Sequence, residues 1–243
     1  MKPLLLLTHR PEAMEAEREW VDIARFAGIS TDDIDQRRLD LEPLGDVDLD
    51  DYSGVLIGGG PFNVSDMDKP DVQLRVEADL LRATTLCIED DFPYFGLCYG
   101  MGVLAQAVGG VVDREFGEPP SAPVISLTDE GRDDPLLART PARFRAFTGH
   151  KEAVSMLPET ATVLATSELS PHQLIRVGRN VYAAQFHPEL DAESLVARLS
   201  AYRHKGYFPA EDFENQAKWA MSVDVGTTSN ELIAHFVRRY ARD

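Results

Sequence analysis

Two cysteines and two tryptophans are all that the 243 residues contain of either type. Two thiols cannot build the disulfide framework of a small secreted domain, and they suit a reducing, cytoplasmic setting. Basic residues are also scarce: 24 Lys and Arg stand against 41 Asp and Glu, a net charge of −17. That balance argues against nucleic acid or an anionic membrane as partner, because both are bound through basic patches. No apolar run is long enough to cross a bilayer. The opening Leu4–Leu7 run is too short for a secretory signal and reads as a buried first strand. The phosphate-cradling Gly-x-x-x-x-Gly-Lys-Ser/Thr loop is missing too. What remains is enough for a core: 44% of the residues are hydrophobic.

The chain alternates strand and helix signals at first. Leu4–Leu7 is followed by a helix opened by Pro11, with Trp20, Ile23, Ala24 and Ala27 at helical spacing and Gly28 as its stop. A short strand is expected over Thr31–Asp35, a solvated acidic loop over Gly45–Asp51, and a strand over Gly54–Ile57. Calcium is not expected in that loop, which lacks spaced ligands; no metal or cofactor is called for elsewhere. Val72, Val76, Leu80 and Ala83 mark the next helix, Phe92–Leu97 the next strand, and Met101–Val108 another helix. From Ala122 onward, Val124–Leu127, Phe144–Thr148, Thr162–Thr166, Gln173–Val177 and Val181–Phe186 read as strands joined by turns, which adds an antiparallel section. The pattern predicts an α/β, three-layer domain around a central, mostly parallel but mixed sheet. Beyond Leu190 the chain turns helical: Ser194–Arg203, a segment within Phe208–Trp219, and a last helix whose Thr228-Ser229-Asn230-Glu231 has capping-box spacing. Residues 1–190 are thus read as one domain, and 191–243 as a helical extension packed on it, with structural packing as its simplest role.

Chemistry concentrates at Gly96-Leu97-Cys98-Tyr99-Gly100. A Gly-x-Cys-x-Gly frame between a strand and a helix is the layout of a nucleophile elbow. The glycines tolerate a turn that a Cβ would crowd, and the helix N-terminus favours a thiolate at Cys98. Cys87 lacks this frame and reads as a core residue. Gln185-Phe186-His187-Pro188-Glu189 follows an apolar run. His187 is the candidate base and Glu189 the group that orients it; on an extended strand, residues two apart point the same way. His9 and Arg10 follow the first strand, toward the edge where open α/β sheets bind ligands, yet surface roles are the simpler reading for them.

These motifs, with Gly58-Gly59-Gly60-Pro61 after a strand, resemble those of the class I (triad) glutamine amidotransferases, in the branch similar to the amidotransferase domain of GMP synthetase. The resemblance covers roughly Lys2 to Leu190. It implies a flavodoxin-like fold and hydrolysis of L-glutamine through a Cys98 thioester. The oxyanion would be held by the backbone N–H groups of Gly60 and Tyr99. Ammonia would pass to a separate synthetase chain, since the Ser-Gly-Gly-x-Asp-Ser loop of the synthetase's ATP-using domain is absent. It also implies contacts to the substrate from Gly59 and from the loop of His150 and Lys151. Many relatives carry Gln where this chain has Gly102; Gln106, one turn on, is the candidate substitute. That departure keeps another γ-glutamyl amide open as substrate. The alternatives are a γ-glutamyl hydrolase or peptidase with the same triad, or a non-catalytic regulatory subunit.

Overall fold

The computed structural model describes residues 2–243; Met1, where the first domain is expected to begin, lies outside them. Leu4–Thr8 (β1) is wholly buried because helices cover both faces of the sheet, so every side chain of the strand is core. Alternation splits them. Leu4 and Leu6 join Ile23, Phe95, Leu232 and Phe236 on one face, whereas Leu5 and Leu7 join Val76, Leu80 and Tyr94 on the other. Helix α1 (Ala13–Ala27) ends at Gly28, whose φ of 73° closes the left-handed cap. Strand β2 (Ile34–Arg38) and β3 (Gly54–Ile57) flank β1, and α2 (Asp71–Glu89) leads to β4 (Tyr94–Leu97) and α3 (Tyr99–Ala107).

Then come β5 (Val111–Asp113), β6 (Glu118–Ser121), β7 (Val124–Leu127), the single turn α4 (Asp129–Arg132), β8 (Arg143–Arg145), β9 (Thr148–His150) and β10 (Ala153–Met156). Strands β11 (Ala161–Thr166), β12 (Leu174–Val177) and β13 (Val181–Ala184) complete the sheet, and helices α5 (Ala192–Ala201), α6 (Phe213–Ser222) and α7 (Thr228–Tyr240) end the chain. The main sheet runs β2-β1-β3-β4-β13-β12-β11-β7-β8. From β2 to β13 all pairings are parallel, in the flavodoxin-like order; from β13 to β8 all are antiparallel. Two ribbons, β5 with β10 and β6 with β9, stand apart from it.

The mixed sheet and the helical tail match the expected architecture, and the differences are local. The strand expected at Thr31–Asp35 begins at Ile34, because Ser30 caps a 3-10 turn over Thr31–Asp33. The run Phe144–Thr148 is divided between β8 and β9, which belong to different sheets. Strands β5, β6 and β10 are three- or four-residue pieces, too short to leave an alternating signal. The capping box at Thr228 does not form: Thr228 already lies inside α7, and the Thr227 hydroxyl donates to Glu231 instead (2.9 Å). Among the described residues, no helix is long and apolar enough to cross a membrane.

The tail is bound to the first helix and to the sheet edge. Arg25 of α1 pairs with Asp191 (2.8 Å) and Lys205 with Glu12 (3.1 Å). A third apolar cluster, Phe147, Leu190, Leu195, Leu199, Phe208 and Ala220, lies beneath it.

Candidate active site

Four segments leave the carboxyl ends of adjacent parallel strands and meet: His9-Arg10 after β1, Gly58–Gly60 after β3, Cys98 after β4 and His187 after β13. Cys98 takes φ 52° and ψ −92°, one of two non-glycine residues with positive φ among those described. Such backbone stores strain and persists only where the surroundings enforce it. Here they do. Its N–H donates to the Ala184 carbonyl (2.7 Å), tying the turn to β13. A Cβ on Gly96 would come within 2.7 Å of the Gly100 backbone, and one on Gly100 within 2.9 Å of the Ile57 carbonyl. Both flanking glycines are therefore required by close approach of chain to chain. The turn delivers Cys98 half-buried at the first residues of α3, whose leading N–H groups, Tyr99 among them, have no acceptor within the helix.

His187 stands on the other side of the sulfur. Its Nδ1 lies 2.8 Å from Glu189 Oε1, and both side chains are buried. Strand β13 stops at Ala184, so this pairing comes from a turn, with Leu190 N–H donating to the His187 carbonyl (3.3 Å), and not from alternation along a strand as the spacing suggested. Burial disfavours the imidazolium, but the Glu189 carboxylate and the Cys98 sulfur outweigh it and hold His187 up to about 9. Burial would also raise Glu189; the cations His187 and Arg198 override it and keep the carboxyl well below the usual range. Arg198 Nη1 donates to Glu189 Oε1 (2.7 Å). Gln185 Nε2 approaches Cys98 Sγ at 3.8 Å.

His9 and Arg10 are not on the surface, contrary to the sequence reading: both are fully buried. The Arg10 guanidinium is neutralised by Glu19, donating through Nε to Oε1 (3.0 Å), and its Nη1 donates to the Tyr202 hydroxyl (2.6 Å). A Cβ on Gly59 would lie 2.9 Å from Arg10 Nη2 and 3.3 Å from His187 Cε1. Gly59 is thus the floor on which arginine, imidazole and thiol converge. Gly60 lies against the His9 ring, which leaves no room for a side chain there. Burial, then the charge of Arg10, pushes His9 down to about 3, so this ring is neutral packing at ordinary pH.

Two cavities meet at Cys98 and share Gly60 and Tyr207 as their divide. One, of about 340 Å³, is lined by Tyr99, Gly102, His150, Lys151, Glu152 and Gln185. The other, of about 470 Å³, lies on the His187 side, with Leu190, Leu195, Leu199 and Phe208 in its wall. His150 is buried, with Nδ1 3.0 Å from the Glu152 carbonyl and Nε2 3.5 Å from Glu118 Oε1. Lys151 lays its ammonium over the Tyr207 ring at 4.9 Å. Of the expected substrate contacts, Gly102, His150 and Lys151 therefore line one cavity together, and Gly59 backs the thiol. Gln106 does not join them: it is exposed, carried one turn further along α3 away from the sheet edge. Among the described residues, no group of three or more His, Cys, Asp or Glu side chains is placed to hold a metal ion.

Sequence reasoning missed Arg198, Tyr202 and Tyr207, and took Arg10 for a surface residue. It also took structural packing as the tail's simplest role, whereas α5 and the segment after it wall one cavity. Asn230 of α7 further donates to the carbonyls of Pro188 (2.7 Å) and Leu190 (2.9 Å), gripping the turn that carries His187 and Glu189. Arg198, on the first helix after Glu189, is the one member with a local signal.

A family model described as glutamine amidotransferase class-I matches residues 29–198. The GMP synthase (glutamine-hydrolyzing) of Thermosipho africanus is 32% identical over 185 residues, covering 74% of this chain and 31% of that protein. The enzyme of the same name from Thermomicrobium roseum is 30% identical over 174 residues, covering 68% and 29%. The chain thus spans less than a third of the length of these two relatives. Among solved structures, a glutamine amidotransferase from Thermotoga maritima superposes with a TM-score of 0.76 at 22% identity, covering 99% of this chain and 98% of that one. A glutamine amido transferase from Methylobacillus flagellatus gives 0.72 at 20% identity, covering 100% and 97%. These likenesses establish the fold, and they extend over the helical tail.

Proposed function

The chain belongs to the class I glutamine amidotransferase family, and we propose that it hydrolyses a γ-glutamyl amide, most simply L-glutamine, through a thioester on Cys98. One observation carries the reading: a half-buried thiol, held at positive φ where two cavities meet, faces an imidazole locked to a buried carboxylate at 2.8 Å. Nucleophile, base and orienting acid in that order are the triad logic.

The Cys98 sulfur attacks the γ-carbonyl carbon, and the C=O electron pair moves onto oxygen. Backbone N–H groups of Tyr99 and Gly60 receive that oxyanion; removing one such donor typically costs about 10²–10³ in rate. The His187 imidazolium gives its proton to the departing nitrogen as the C–N bond breaks, leaving the γ-glutamyl thioester. Neutral His187 then takes a proton from water, whose oxygen attacks the thioester and frees glutamate. Glu189 keeps the proton on Nδ1 so that Nε2 is the atom that works. Arg198 supports it as a positioning residue, through its hydrogen bond to the Glu189 carboxylate. The cavity of Gly102, His150 and Lys151 takes the glutamyl portion.

The ammonia would serve a separate acceptor enzyme, a reading supported by the likeness to proteins named as glutamine-hydrolyzing GMP synthases. In this reading residues 1–190 are the amidotransferase domain and 191–243 an extension packed on it, supported by the Arg198 and Asn230 contacts. The unpaired thiols suit a reducing cytoplasm.

The test is covalent. A chloroketone analogue of glutamine is expected to add one label at Cys98 and none at Cys87, read by peptide mass, and Cys98→Ala is expected to abolish turnover. Full activity in Cys98→Ala would overturn the reading.

A further inference from the structure

The cavity on the His187 side has no task in the hydrolysis of glutamine itself. The leaving nitrogen must lie on that side, because His187 is the group that protonates it. When the substrate is glutamine the leaving group is ammonia, which needs only the roughly 30 Å³ that a water-sized molecule takes up. The space there is larger than one such molecule fills, runs from Cys98 to Phe208 and opens to solvent. Its wall is mostly apolar: Pro120, Leu190, Leu195, Leu199 and Phe208. Apolar lining favours an apolar occupant, because burial removes both surfaces from water, and gives ammonia nothing. Two guanidiniums also line it. Each is neutralised by a glutamate, Arg10 by Glu19 through Nε and Nη2 and Arg198 by Glu189, yet Arg198 Nε and Arg198 Nη2 are buried without a hydrogen-bond partner. Buried donors left unmet are costly and call for an acceptor.

Resting on the Cys98 thioester reading above, we propose that the substrate is a γ-glutamyl amino acid whose second residue is apolar. Its glutamyl half occupies the cavity of Gly102, His150 and Lys151. Its side chain lies on Leu195 and Leu199, and its carboxylate accepts hydrogen bonds from the unmet donors of Arg198. The chemistry balances with water alone. The sulfur–carbon bond forms, the C–N bond breaks with a proton from His187, and the free amino acid leaves. Water then forms the C–O bond, the C–S bond breaks, and glutamate follows.

The experiment compares kcat/KM of the full chain for γ-glutamyl-L-leucine, L-glutamine and the γ-glutamyl isoamylamide, which keeps the branched apolar group and lacks the carboxylate. γ-Glutamyl-leucine is expected to exceed glutamine by at least tenfold and the isoamylamide by several-fold. Leu199→Trp, which fills the wall, is expected to lower the leucine-to-glutamine ratio at least tenfold; Leu195→Phe makes the same test with a smaller change. Glutamine equal to or better than γ-glutamyl-leucine would overturn the assignment while leaving the thioester reading intact. An isoamylamide as good as the dipeptide would overturn the carboxylate contact. Turnover of none of the three, with Cys98 still labelled by the chloroketone, would overturn both readings.

Discussion

The parallel half of the sheet and the helical tail contribute to the site in opposite ways. The parallel half supplies the groups proposed to react. Cys98 follows β4 and His187 follows β13, and the oxyanion loop follows β3, each at a strand's carboxyl end. Their positions depend on close backbone packing, as Gly96 and Gly100 show. The tail supplies no group proposed to react. It holds and encloses: Arg198 pairs with Glu189, Asn230 grips the turn around Glu189, and Leu195, Leu199 and Phe208 form a wall. Strands with parallel neighbours leave only their ends free for chemistry, whereas a helix added later can cover an edge without altering the register beneath it.

The sharpest break in this comparison is at the imidazole. His187→Ala is expected to lower kcat by about 10²–10⁴, the range for a positioned acid–base group. The fold is expected to survive, as judged by circular dichroism, because the turn is held by backbone bonds and Asn230. A loss below tenfold in kcat would mean that the sheet edge does not supply the proton.

Next comes the contact between the two regions. Glu189→Gln removes the carboxylate that holds His187 up to about 9. The basic limb of the rate profile is expected near pH 9 in the wild type and at least one pH unit lower in the variant. The variant also leaves Arg198 buried without its counter-charge, a loss of about 3–5 kcal/mol of stability. The signs of the linkage are set by the two shifts. His187 is raised when folded, so its share of stability is complete below its ordinary 6.5 and is lost as pH rises through about 9. Glu189 is lowered when folded, so its share is present above its ordinary 4.5 and is lost only as pH falls through its depressed folded value. The stability gap between wild type and Glu189→Gln is therefore expected to be widest between pH 4.5 and 6.5 and to narrow at both extremes. A gap that widens above pH 9 would contradict the pairing.

The smallest effect is expected at a tail residue that holds the turn. Asn230→Ala deletes two buried hydrogen bonds and leaves the Pro188 and Leu190 carbonyls to find other donors. A destabilisation of about 1–3 kcal/mol is expected, measured by urea unfolding. If the tail acts by holding the turn, kcat falls while KM changes little. An unchanged kcat would reduce Asn230 to packing alone.

The legibility of the site follows the same division. Cys98, His187 and Glu189 could be read because each lies in a short motif whose constraint is local: a glycine-framed turn, and an imidazole and carboxylate two residues apart around a proline. The inner strands of the main sheet were also readable, since burial leaves apolar runs such as Leu4–Leu7, whereas the polar edge strands β2 and β8 were misplaced. Strands β5, β6 and β10 were not, because they are three- or four-residue pieces paired outside the main sheet. Gln106 looked suitable by its distance from Gly102 along the chain, but the axis of α3 carries it out to solvent.

By itself, then, the sequence determined the alternation of layers, the elbow at Cys98 and the local pairing of His187 with Glu189, because each rests on neighbours a few residues apart. Only the tertiary structure decided that Arg10, expected at the surface, is buried against Glu19 and Tyr202, that Arg198 and Asn230 secure the turn, and that a second, apolar-walled cavity opens beside the imidazole. Those features join residues far apart in the chain, and an arginine gives no sign in sequence of whether it faces water or a buried carboxylate. Packing settles that choice, since a buried cation survives only where a partner across the fold meets it.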